Sequence, residues 1–300
     1  HVTASLPDEL RGLCVPVIAD IRDADRLDEV WAHHRPQLVF HAAALKHVPA
    51  LEGAISEGWK TNVLGSSNVL EVSERHRVER VVNISTDKAA NPENVLGYTK
   101  RIAERLTAAT AERTGRAYVS VRFGNVIGSR GSAIETFEAQ IRNGGPVTIT
   151  HPDVTRYFMA VREAVRLTMQ AAAIGRPAEV LVLDMGTPVK VVDVARQLIE
   201  QSQTSIEITF TGLRPGEKMH EVLLGNGETA NRPLHPMIDH VGVPGIDLVA
   251  GLDACAAAGL SPLTLDGLQT IAFSTPTNHT DLTDATRSAH EQGRTSRRTT

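Results

Sequence analysis

The run Val81-Val82-Asn83-Ile84-Ser85-Thr86-Asp87-Lys88 places two hydroxyls, a carboxylate and an amine in succession at the end of an apolar stretch. An acid beside an amine can divide proton-transfer work, one delivering a proton and the other taking one, if burial and mutual charge tune them. The same residues would also suit a plain turn, with Ser85, Thr86 and Asp87 capping it and Lys88 in solvent. Farther on, Leu96 and Lys100 are spaced to share one face of a helix. In His41-Ala42-Ala43-Ala44-Leu45-Lys46-His47 the small side chains would let backbone approach a dinucleotide, with Lys46 free to meet a phosphate or ribose; three alanines are equally ordinary core packing. The segment Arg122-Phe123-Gly124-Asn125-Val126-Ile127-Gly128-Ser129-Arg130-Gly131-Ser132 runs through a glycine-rich turn into a helix, whose unpaired N–H groups make a ready anion site. Arg156 and Arg214 carry planar guanidinium forks suited to phosphate, although either alone would serve as a surface ion-pair partner.

The elements that must hold these groups follow from the apolar pattern. Cys14–Ala19, Leu38–Ala43, Arg80–Ser85 and Ala117–Arg122 read as strands, and Ala24–His34, Ala54–His76 and Val95–Thr114 as the helices between them. Strand–helix alternation at this spacing predicts an α/β fold, a Rossmann-like doubly wound parallel sheet with helices on both faces. The active run then lies at the carboxyl end of a strand, where open parallel sheets bind ligands. Beyond Arg122 the strands shorten and glycines multiply, with helices near Ser132–Arg142, Arg162–Ile174 and Val191–Gln201, which predicts a smaller second lobe. The expected division is residues 1–122 for a partial dinucleotide-binding domain, 123–240 mainly for the substrate lobe, and 241–273 for a C-terminal extension. Residues 274–300, rich in Thr, Ser, His, Asn and Arg, contain too few apolar side chains to offset ordering entropy and read as a disordered tail.

Composition narrows the function classes. The chain has 300 residues, 41% hydrophobic, with a net charge of −4 spread without a basic face, so neither nucleic acid nor an anionic membrane is an expected partner. Two distant cysteines, Cys14 and Cys255, fit a reducing compartment. No apolar run approaches the ~18 residues that span a bilayer, so the chain as it stands reads as cytoplasmic. The 12 histidines come without Asp, Glu or Cys at ligand spacing, so no metal site is expected. No Gly-x-Ser-x-Gly elbow points to a hydrolase.

From about Val15 to Leu224, roughly two-thirds of the chain, the sequence resembles the capsular-polysaccharide type of nucleotide-sugar 4,6-dehydratase, a branch of the extended short-chain dehydrogenases/reductases. The resemblance rests on Thr86-Asp87-Lys88, on Asn91-Pro92, on the Leu96-xxx-Lys100 pair, on Thr155-Arg156-Tyr157-Phe158-Met159 and on Leu213-Arg214-Pro215-Gly216-Glu217-Lys218. It implies NAD as cofactor and a UDP-amino sugar as substrate. Thr86, Asp87, Lys88 and Lys100 would be catalytic. Asp20, Ala42, Ala43, Ala44, Lys46, Asn62, Ser85 and Lys100 would serve the cofactor, with Asp20 against adenine (it would also suit a helix N-cap), Asn62 steadying the active-site loop and Lys100 on the nicotinamide ribose. Asn125, Ser132, Arg156 and Arg214 would hold the UDP phosphates or neighbouring groups, and Glu217 the uridine ribose. Ordinary short-chain dehydrogenases carry Tyr where Leu96 stands; Met is usual in the long dehydratases. This departure leaves Thr86 with a water as the candidates to deprotonate the sugar C4 hydroxyl. The resemblance further implies that Lys88 removes the C5 proton and Asp87 protonates the departing C6 oxygen.

A dinucleotide fold also needs a glycine-rich turn after its first strand, and none precedes Asp20. If Cys14–Ala19 is the third strand of a 3-2-1-4-5-6 sheet, strands one and two are missing. The chain is therefore expected to be part of a longer protein, by resemblance a homo-oligomer anchored upstream at the cytoplasmic face of the inner membrane. Two rivals stay open. A UDP-sugar 4-epimerase shares the fold but normally relies on the Tyr that Leu96 replaces, and a non-catalytic nucleotide-sugar-binding protein could keep the sugar pocket while unable to hold NAD.

Overall fold

The computed structural model describes residues 7–129 and 131–275. Its centre is a six-stranded sheet formed by β1 (Leu38–His41), β2 (Arg80–Ile84), β3 (Ala117–Arg122), β4 (Glu179–Leu183), β5 (Ala230–Asn231) and β6 (Ile238–Gly242), in the order β1-β2-β3-β4-β6-β5. The first four run parallel, while β6 pairs antiparallel with β4 and β5 antiparallel with β6. The expected α/β class is thus present. The stretch 123–240, read mainly as a second lobe, also contributes β4, β5 and the first part of β6 to this sheet.

Alternation along the strands explains why both faces are covered. Val81 on β2 and Tyr118 on β3 point into one core, with Val63, Ile102 and Leu106 from the helices above them. Their neighbours Val82, Val119 and Val121 point into the other, against Leu167 and Ala171 of the helix Val161–Ile174. Residues in strands buried on both faces read as continuous apolar runs, which is why β2 and β3 are conspicuous in the sequence.

The helices follow the predicted boundaries closely because their ends are chemically marked. Asp23 caps Ala24–His34 by accepting from Arg26 N, and Asn94 caps Val95–Thr114 by accepting from Gly97 N. Ala54–His76 forms as a nearly continuous helix from Ile55 to Arg75, with a π-helical segment at Trp59–Leu64. Two later helices, Leu248–Ala257 and Leu265–Ala272, lie in the 241–273 extension. They complete the core over Val95–Thr114, and Arg105 ties them down by donating to the carbonyls of Pro244, Gly245 and Ala272.

The expected strand at Cys14–Ala19 is not formed. This segment has no ladder partner among the described residues, and Leu13, Val15 and Ile18 are exposed. An extended run becomes a strand only when a neighbour takes its N–H and C=O groups. Apolar composition alone misread it. Asp20 consequently does not sit at a strand end. The tail expected over 274–300 lies, beyond Thr275, outside the described residues. No described helix is long and apolar enough to cross a membrane.

Candidate active site

At the carboxyl ends of β1–β3 a cavity of about 580 Å³ opens between the main sheet and the small paired strands Asn125–Ile127 with Phe158–Ala160 and Val147–Ile149 with Ile208–Phe210. It brings together Ala42, Ala44 and Lys46 after β1, Ser85, Thr86 and Lys88 after β2, Leu96 and Lys100 on the helix, and Asn125, Ser132, Arg156, Arg214 and Glu217. Four of the expected residues do not line it: Asp20, Ala43, Asn62 and Asp87.

The loop after β2 is held by its neighbour strand, since Ser85 N donates to Val121 O and Asp87 N to Phe123 O. Thr86 Oγ1 and Lys88 Nζ both donate to Asp87 Oδ1, at 2.9 and 3.0 Å. Asp87 is 1% exposed, and its Oδ2 is buried without a hydrogen-bond partner. A side chain on Gly124 would begin 3.0 Å from that oxygen. Gly97 has a related duty: a Cβ there would meet Lys88 O at 2.5 Å, so only glycine lets the helix approach the active loop.

Lys100 projects from the same helix, buried, and donates to Ile84 O at 2.8 Å. Burial lowers its pKa to about 8, opposed by the charge of Glu104. Lys88 moves the other way. Burial disfavours its charge, but Asp87 and Glu221 outweigh this and raise its pKa, with Arg156 opposing them. Ser85 turns its hydroxyl to Glu104 at 2.7 Å, and Glu104 in turn pairs with the fully buried Arg122.

Other predicted residues shape the walls. Asn62, inside the π-helical segment, accepts from Leu45 N at 2.8 Å and donates to Leu45 O at 2.9 Å, so it clamps the Ala44–Lys46 loop from behind. Ser132 caps the helix Ala133–Arg142 and puts that N-terminus on the cavity. Arg156 donates to Glu217 at 3.2 Å and to the carbonyls of Thr155, Lys218 and Met219, while Glu217 also accepts from Thr150 at 2.9 Å. Asn94 Nδ2 donates to Gly216 O at 2.7 Å, fastening the Arg214–Glu217 turn to the active-site helix. Asp20 is engaged by Arg22 instead, whose hydrogen bonds hold its pKa down at about 2, and it is exposed and away from the cavity.

Two residues escaped the sequence reading. Glu221 lines the cavity with its side chain 2% exposed, Oε1 3.8 Å from Lys88 Nζ and Oε2 without a partner. Burial raises its pKa despite Lys88 nearby. Its one sequence cue is that it stands three residues beyond the Leu213–Lys218 run already judged chemical. His41, buried against Ser66 Oγ at 2.9 Å, is kept neutral, its pKa lowered to about 4 by burial and by the charge of Lys100.

A mostly parallel sheet with this strand, this loop and this lysine-bearing helix is the fold of an extended short-chain dehydrogenase/reductase. The chain belongs to the polysaccharide biosynthesis protein family, whose description matches residues 3–242. It is 48% identical over 244 residues to the capsular polysaccharide biosynthesis protein CapD of Staphylococcus aureus, covering 78% of this chain and 41% of that protein. It is 39% identical over 217 residues to a UDP-glucose 4-epimerase of Rickettsia rickettsii, covering 71% of this chain and 62% of that one. The chain thus spans about two-fifths of CapD. Among solved structures it superposes on Pen from Bacillus thuringiensis with a TM-score of 0.73 and 34% identity, over 79% of this chain and 76% of that one. On MoeE5 in complex with UDP-glucose and NAD the TM-score is 0.62 with 26% identity, over 69% of this chain and 75% of that one.

Proposed function

We propose that the protein carrying this chain is an NAD-dependent 4,6-dehydratase that converts a UDP-N-acetylhexosamine to its 4-keto-6-deoxy form for surface polysaccharide synthesis. The observation that carries this reading is that Thr86 and Lys88 stand on the cavity wall beside an apolar Leu96, both hydrogen-bonded to Asp87 behind it. NAD binding is supported by the fit of the nicotinamide end. Lys100 presents a buried ammonium with one backbone acceptor, and Ala42 and Ala44 leave room for a flat ring. At the adenine end Asp20, engaged by Arg22, does not reach the cavity.

Bound NAD would accept and later return one hydride, so the net reaction consumes no reductant. The chain's own groups handle the protons. A proton leaving the sugar C4 hydroxyl through Thr86 has a hydrogen bond to Asp87 at 2.9 Å to follow, and Asp87, behind the wall, can send it back through Thr86 to the departing C6 oxygen. Sequence reasoning expects the Lys88 amine to take the C5 proton. Its two carboxylate neighbours favour the ammonium instead, so we assign Lys88 to stabilising the negative charge that develops on the C4 oxygen when C5 is deprotonated. Asn125, Ser132, Arg156, Arg214 and Glu217 are proposed to hold the UDP end. An epimerase remains the second reading because a UDP-glucose 4-epimerase is among the relatives. Incubating the full-length protein with UDP-N-acetylglucosamine and weighing the product separates the two: loss of one water supports dehydration, and an unchanged mass with inverted C4 supports epimerisation.

A further inference from the structure

Deprotonation of C5 needs a base, and with Lys88 held as a cation the cavity has to supply another. Glu221 has the placement. It stands on the cavity wall, one carboxylate oxygen is 3.8 Å from the Lys88 ammonium, and the other is buried and unpartnered. A buried carboxylate oxygen left without a donor is costly in a folded protein and calls for an explanation. Asp87 is a weaker choice, because one of its oxygens already serves Thr86 and Lys88 and the residue does not line the cavity.

We propose that Glu221 is a further catalytic residue of the dehydration, its free Oε2 taking the proton from C5 of the oxidised sugar and, after exchange with solvent, returning a proton there at the end. The inference rests on the dehydratase reading. The C5–H bond breaks with its electron pair delocalised onto the C4 oxygen, where the Lys88 ammonium meets it, and the proton goes to Glu221. The pair then forms the C5–C6 double bond as the C6–O bond breaks, and the hydroxyl leaves as water with the proton that Asp87 received from C4. Hydride return to C6 is followed by reprotonation of C5 from Glu221. The carboxyl and the cofactor both end as they began, and the only net product besides the keto sugar is water.

The electrostatic surroundings suit this part. Lys88, Asp87, Arg156 and Lys218 are the charged groups facing Glu221; burial raises its pKa, Asp87 adds to the rise, and the three cations oppose it. A carboxylate with raised proton affinity is a stronger base than a solvated one.

The test uses full-length protein in deuterated water with UDP-N-acetylglucosamine. Glu221→Gln keeps the shape and removes the base, so C5 deuterium uptake should fall at least ~100-fold. Substrate affinity by calorimetry and C4 oxidation, seen as the absorbance of bound reduced nicotinamide, should stay within about threefold. Glu221→Asp should recover part of the exchange, with an acid limb in its pH profile that the Gln variant lacks. Normal exchange in Glu221→Gln would overturn the assignment alone, leaving the dehydratase reading intact. Loss of substrate affinity in both variants would also overturn it, making Glu221 structural. Absence of both exchange and water loss in the unaltered protein would bring down the dehydratase reading itself.

Discussion

Thr86 and Asp87 are joined side chain to side chain, Oγ1 to Oδ1 at 2.9 Å, although they are adjacent in sequence. Consecutive residues of a strand would point to opposite sides. The contact exists because the chain leaves β2 after Ile84 and turns into a short 3₁₀ segment at Asp87–Ala89. The hydroxyl reaches the cavity while the carboxylate stays behind it, so a proton entering at Thr86 has a path to Asp87.

This relationship separates two variants. Asp87→Asn keeps the size but can neither take the C4 proton through Thr86 nor return it, so C4 oxidation should slow and water loss should slow by at least ~100-fold, while the sugar that is oxidised still exchanges at C5. Lys88→Met removes the charge that meets the C4 oxygen, and should suppress C5 exchange itself. Equal loss of exchange in both would mean that the pair acts as one positioning unit.

Lys100 gives a pH prediction. Its pKa, lowered to about 8 by burial, means that its charge fades as pH rises through that value. If the ammonium is what holds the ribose and lowers nearby pKa values, C4 oxidation should decline above about pH 8. Lys100→Met should abolish that limb and slow oxidation at neutral pH, while UDP binding, measured by calorimetry, persists.

The helix Val95–Thr114, β2, β3 and their order in the sheet were readable from the sequence because an Asn94 cap and strands buried on both faces leave strong local patterns. The run Cys14–Ala19 carried a similar apolar signal and failed, since strand formation depends on a partner that local pattern does not reveal. The lining of the candidate site was legible where its residues are neighbours in sequence, at Ser85, Thr86 and Lys88 and at Arg214–Glu217. Glu221 was not, because its meaning lies in a 3.8 Å approach to Lys88 from a distant part of the chain. The protonation of Lys88 was equally hidden, being a balance between burial and two carboxylates.

Behind the cavity Arg122, fully buried, pairs with Glu104 at 2.7 Å and with Glu228 at 2.7 Å. Arg122→Met would strand two buried carboxylates and should cost ~3–5 kcal/mol, read as a lower denaturant midpoint. Burial alone would raise the pKa of Glu228, but the hydrogen bonds and charge of Arg122, with Gly225 N–H and Arg101, bring it to about 2. A depressed folded pKa stabilises above the unfolded value. That contribution should therefore be whole above about pH 4.3 and disappear as pH falls through about 2. Urea titrations across that range should show the slope, and Glu228→Gln should flatten it.

Leu96 offers a test against the epimerase reading. It is buried and lines the cavity, so Leu96→Tyr adds volume at a cost of ~1–3 kcal/mol and restores the hydroxyl of ordinary short-chain dehydrogenases. Chromatography of the sugar products should show dehydration and no 4-epimer. An epimer formed without loss of dehydration would mean that Thr86-Asp87-Lys88 does not by itself decide the outcome and that the residue at this position shares in it.

The most direct measurement follows one hydride. UDP-N-acetylglucosamine carrying deuterium at C4, turned over by the full-length protein, should give a product lighter by one water with the label now on C6 and no reduced nicotinamide released. A product of unchanged mass with the label back on C4, in inverted configuration, would contradict 4,6-dehydration and place this chain with the epimerases.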